Sequence, residues 1–232
     1  MIKKILLSAL VFTIFQTAFA QEGNLKMQKP DFKEIEKAIK DKSSPFFYTT
    51  LMKRYTDNDT TLTTEEYRYL YYGFSFQKNY SPYGKSAYND DLKKSIENKE
   101  TDKVIELEKK VLEDYPFNLR NLNTLIGALD KKGDTIQANA CYKKLIGIGK
   151  AIMSTGDGAS DSTAMFVISV EHEYDMIGLL GFEMGGGQAL TMKHGETMDK
   201  MKLAKNDDNI EYLYFNVDRL FASMQNMLKN KN

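Results

Sequence analysis

Residues 119–148, LRNLNTLIGALDKKGDTIQANACYKKLIGI, decide the fold class. Leu122, Leu125, Ile126 and Leu129 recur at the i, i+3, i+4, i+7 spacing of one helix face. Lys131-Lys132-Gly133 interrupts that pattern, and Asp134 with Gln137 has the spacing of a new helix start. Ala138, Cys141, Tyr142 and Leu145 then make the inner face of a second helix. The spacing predicts an antiparallel helical hairpin turning at Gly133.

The same signals extend towards the N-terminus. Asp31 and Glu34 cap a helix over 31–41, with Phe32, Ile35 and Ile39 on one face. Ser44-Pro45 starts another, running to about Tyr55. Thr63-Thr64-Glu65-Glu66 is a capping box. The helix behind it carries Tyr67, Tyr69, Leu70, Tyr71, Tyr72, Phe74 and Phe76 on all sides, which predicts burial on most sides. Tyr80-Ser81-Pro82-Tyr83-Gly84 is a turn. Val104, Leu107 and Val111 mark a helix of about 102–114, stopped by Pro116.

The C-terminal third changes character. Ala164–Val170 reads as a strand and Glu171–Leu180 as a short helix. Gly185-Gly186-Gly187 reads as a break. Gln188–Lys193, Thr197–Ala204 and Ile210–Val217 read as three strands, with turns at His194-Gly195 and 206–209. Asp218 caps a last helix with Leu220, Phe221, Met224, Met227 and Leu228 on one face. The expectation is an α+β, helix-dominated fold: a helical region over 21–155, then a small antiparallel β-meander and a C-terminal helix over 156–232.

The 119–148 hairpin resembles one tetratricopeptide repeat, through Leu122, Leu125, Leu129, Gly133, Ala138 and Tyr142. The resemblance covers about 34 residues. It departs at Ile126, where the repeat has Gly, and at Leu145, where it has a small residue. The wider layout resembles a family of uncharacterised exported bacterial proteins with a domain of unknown function. The stretches that carry this likeness are Leu62–Arg68 running into Leu70–Gly73, Tyr80–Tyr83, Val167–Val170 with Glu173-Tyr174, and Leu213–Val217. That resemblance implies no activity and no site residues.

The first twenty residues read as an address. Lys3-Lys4, an apolar run from Ile5 to Phe15 and Ala18-Phe19-Ala20 make a secretory signal peptide over 1–20, cleaved after Ala20. The run is short for a transmembrane helix, which needs about 20 apolar residues. The expected product is exported, periplasmic or extracellular. Over 232 residues, 32 Lys+Arg balance 32 Asp+Glu, which gives no field for nucleic acid. One Cys and two His exclude a disulfide framework and a zinc-finger-type site.

Several constellations could carry chemistry. Asp57, Asp59 and Glu66 have the look of a calcium loop, but the first ligand and the central Gly of an EF-hand fall on Tyr55 and Thr60. His172 and His194 would need a carboxylate and a fold that joins them to hold zinc. Met198 with Met201, and Met224 with Met227, invite copper, yet fit core packing better. Cys141 falls on an inner helix face, the place of an inert thiol. No catalytic, cofactor-binding or metal residue is assigned, and no cofactor. The function expected is a non-enzymatic protein- or peptide-interaction module of the cell envelope. The alternative is an envelope hydrolase or glycan-binding protein using the Tyr-rich segment 67–83.

Overall fold

The computed structural model describes residues 27–193 and 195–229, with side chains to residue 223. The expected signal peptide, its cleavage site at Ala20, His194, and the side chains of Met224, Met227 and Leu228 lie outside the described residues. Two units divide the rest, one over Asp31–Ala151 and one over Ile152 onwards together with the residues up to Pro30.

The first unit is helical. Helix α1, Phe32–Lys40, starts at Asp31, whose Oδ1 accepts the amides of Lys33 and Glu34 at 3.0 Å. Helix α2, Tyr48–Thr56, begins later than the Ser44-Pro45 signal implies: Ser44 caps a turn instead, through the amides of Phe46 and Phe47. Helix α3, Thr64–Phe74, opens on the expected capping box, with the Glu66 amide on the Thr63 hydroxyl and the Thr63 amide on Glu66. Helix α4, Asn89–Glu97, carries too little apolar periodicity to be read from sequence. Helices α5, Thr101–Asp114, and α6, Leu119–Lys132, lie antiparallel: Asp102 pairs with Lys132 at one end, and Glu108 accepts from Asn121 further along. Gly133 ends α6 at φ 82°, a left-handed cap that costs glycine nothing. Helix α7, Thr135–Met153, follows after Asp134, whose side chain accepts the Gln137 amide.

The core of this unit is aromatic. Tyr67, Tyr69, Tyr71, Tyr72 and Phe74 of α3 are all buried. Phe117 is ringed by Tyr55, Tyr71 and Phe74, with centroids 5.3–6.0 Å away at steep angles. Such edge contacts add about 0.5–1.5 kcal/mol each beyond the area buried. Two of the hydroxyls find partners, Tyr55 donating to the Pro116 carbonyl at 2.6 Å and Tyr69 to Glu34 at 2.9 Å, while that of Tyr142 is enclosed without one.

The second unit is built on a sheet with strand order β1-β4-β3-β2. Its members are β1, Met165–Phe166, β2, Met184–Lys193, β3, Glu196–Leu203, and β4, Tyr212–Asn216. Strands β2, β3 and β4 form the expected antiparallel meander, but β1 joins β4 in parallel, so the sheet is mixed. The strand expected over Ala164–Val170 shrinks to two residues because Val170 opens helix α8, Val170–Leu179. The three glycines do not break the chain. They lie inside β2, where the stretch from Met184 to Gln188 lies opposite the shorter stretch from Leu203 to Met201 on β3. That bulge absorbs the surplus chain. Helix α9, Asp218–Lys229, closes the chain, with Asp218 accepting the Thr197 amide at 2.8 Å. The whole is an α+β fold dominated by helices.

Candidate functional site

Register assigns the strand faces. Asp199, Met201 and Leu203 alternate along β3, opposite Phe215 and Leu213 of β4. Met201, Leu203, Phe215 and Leu213 are all buried, so this is a core face. On β2 the residues opposite are Gln188, Leu190 and Met192. There the cover ends: Leu190 is 58% exposed and Met192 78%. Strand β2 is also an edge, so one side of its backbone has no neighbouring strand among the described residues.

Helix α8 meets this face at two consecutive residues. Glu173 lies on the side of α8 that buries Met176 and Ile177, and it is 1% exposed. It is hydrogen-bonded to Asp199, itself 5% exposed. Glu173 Oε2 and Asp199 Oδ1 are fully enclosed and have no donor. Two ionised carboxylates cannot donate to each other, so a hydrogen bond between them requires a proton. Burial, followed by the Asp199 charge, pushes the Glu173 carboxyl up to about 9. The other Asp199 oxygen accepts from Gln188 Nε2, and Gln188 Oε1 accepts from the Tyr174 hydroxyl at 2.9 Å. Glu173, Asp199, Gln188 and Tyr174 thus close a ring of polar side chains across α8, β3 and β2.

The residues singled out from sequence are placed elsewhere. Asp59 and Glu66 both bind Arg54, the former at 2.7 Å from Nε, and Asp57 pairs with Lys53. Arg54 thereby occupies the position a cation would take between those carboxylates. His172 is buried on α8. Met198 and Met201 are buried on opposite faces of β3, as strand alternation requires. Cys141 is buried, and burial pushes its thiol up despite Lys144 and Lys109 nearby, which disfavours the reactive thiolate. Among the described residues no three His, Cys, Asp or Glu are grouped to hold a metal, and no helix is long and apolar enough to cross a membrane. The rings of Tyr67–Phe74 are interior, and of the tyrosines in 67–83 only Tyr83 stands exposed. An aromatic binding platform over that segment is therefore not formed.

Sequence reasoning passed over Glu173 and Asp199. A signal was available, since each is a carboxylate in an apolar period: Glu173 with Met176 and Ile177 at helical spacing, Asp199 with Met201 and Leu203 at strand spacing.

A family model, described as a domain of unknown function (DUF4919), matches residues 33–226. The chain belongs to this DUF4919 family. No curated protein and no solved structure matches it. The DUF4919 match runs through both units and through all four members of the polar ring.

Proposed function

We propose that this chain is an exported, non-enzymatic module of the cell envelope that captures an extended segment of a protein or peptide. The observation that carries this reading is edge strand β2. Among the described residues it presents an unpaired backbone edge, with Leu190 and Met192 exposed on the face that is core in the neighbouring strands. A peptide adding as a further strand would use the free backbone groups for affinity and place alternate side chains beside Leu190 and Met192. Those side chains should be apolar and uncharged. Lys193, the one cation of β2, is already paired with Asp161.

Support for an exported, tetratricopeptide-like module comes from the Lys3-Lys4 leader pattern and from the helix–Gly133–helix arrangement of α6 and α7. In repeat proteins such helices present a binding surface, an analogy of fold rather than of site. The hydrolase or glycan-binding alternative loses its aromatic surface, because the α3 rings are packed inside.

The test is a selection of displayed random peptides on the immobilised chain. Enriched peptides should alternate apolar residues and slow hydrogen exchange at the β2 amides. The double variant Leu190→Gln, Met192→Gln should lose capture with an unchanged melting temperature. No enrichment, or capture indifferent to the double variant, overturns the reading.

A further inference from the structure

We propose that Glu173 and Asp199 form a proton-sharing latch that clamps helix α8 to the sheet and, through Gln188 and Tyr174, sets how firmly edge strand β2 is held. Glu173 is hydrogen-bonded to Asp199, and each carries one enclosed oxygen without a donor, Glu173 Oε2 and Asp199 Oδ1. One bound proton turns that contact from like-charge repulsion into a hydrogen bond. Its removal to solvent leaves two buried carboxylates on separate elements and breaks the bond between them.

Several titratable groups surround the pair. Besides Glu173, helix α8 brings Tyr174, whose hydroxyl is pushed up by burial, by Glu173 and by Asp199, together with His172 and Asp175. From β3 comes Asp199; its neighbour Lys200 points to the other face, over the Tyr212 ring at 3.7 Å. From β2 comes uncharged Gln188, while Lys193 is held by Asp161. Among the described residues, burial and Asp199 are what raise the Glu173 carboxyl.

Strand β2 depends on this pair because it is an edge. Among the described residues its one neighbouring strand is β3, and its bulge removes paired positions between Met184 and Gln188. Gln188 is where regular pairing resumes, and its side chain is the one tied through Asp199 to Glu173. The latch is independent of what β2 binds, so it can stand or fall without the peptide reading.

Two measurements on the full chain test it. Infrared spectroscopy at pH 8 should show a protonated carboxyl band that is absent in Glu173→Gln, and in the unaltered protein the band should vanish on titration near pH 9. Hydrogen exchange at β2 amides, corrected for intrinsic rates, should lose up to about tenfold protection per pH unit above that point. Glu173→Gln donates an amide proton to Asp199 at every pH, so its β2 protection should be flat. Tyr174→Phe keeps the carboxyl pair, so it should keep the pH dependence at lower overall protection. A band that titrates in the ordinary carboxyl range overturns the latch even if Glu173→Gln does not fold. So does a Glu173→Gln protein whose β2 exchange follows the unaltered profile.

Discussion

Gly147 of α7 faces the ring of Tyr67 so closely that a Cβ at 147 would fall within the space of Cε2 and Cζ. The ring cannot retreat, since it is buried against Tyr55 at 6.2 Å. Alanine should therefore destabilise the protein at this helical position, by about 1–3 kcal/mol of overpacking. Gly127, in the interior of α6, has open space where its Cβ would stand. Gly127→Ala should be stabilising by up to about 1 kcal/mol through helix propensity. Urea unfolding of the two variants checks the contrast, and a shift of the same sign in both would refute this packing.

Glu108 is buried between α5 and α6 with one oxygen unpartnered, the other accepting from Asn121 at 2.7 Å. Burial raises its carboxyl to about 7, against the opposing effect of that bond. Folded protein holds this proton more tightly than the unfolded chain does. The stability it contributes is thus full below about 4.5 and is lost as pH rises through about 7. Glu108→Gln removes the buried charge and keeps the shape. At pH 8 the variant should be more stable by roughly 2 kcal/mol, and near pH 4.5 the two proteins should unfold alike. Thermal unfolding at the two pH values measures this. An equal difference at both would mean that Glu108 does not titrate in the folded state.

Helix α3 shows why much of the first unit was legible. Its capping box lies within four consecutive residues, and its burial follows from aromatics on every side. Local rules of that kind also place α1 and α5 to within a residue or two. Helix α4 escaped because Leu92 is its one deeply buried apolar side chain, while Ile96 is exposed. In β2 the glycines carry no alternation, and only pairing with β3 shows that they form a bulge. The Glu173–Asp199 contact joins a helix to a strand across the fold. Periodicity could have placed each carboxylate on an inward face, but not the partner it would meet there.

Export has its own measurement. The Lys3-Lys4, Ile5–Phe15 and Ala18-Phe19-Ala20 pattern predicts removal of the first twenty residues. N-terminal sequencing of protein recovered from outside the cytoplasm should begin at Gln21. Recovery of the chain with Met1 intact in the cytoplasmic fraction alone would reject the envelope reading.

The bulge in β2 turns on a single glycine. A Cβ at Gly185 would collide with the Leu203 carbonyl, which is backbone and cannot swing aside. At Gly187 the nearest atom is the Lys202 side chain at 3.4 Å, an ordinary contact. Gly185→Ala should thus displace the start of β2, whereas Gly187→Ala should be accommodated. Displacement matters because strand side chains alternate: a one-residue slip would turn Gln188 away from Asp199 and bring Ala189 to that face. The slip would also exchange the positions of Leu190 and Thr191. Gly185→Ala should therefore lower the melting temperature and raise hydrogen exchange from Gln188 to Lys193, with α5 and α6 unaffected. If Gly187→Ala proves as disruptive as Gly185→Ala, close backbone approach at 185 is not what sets the register of this strand.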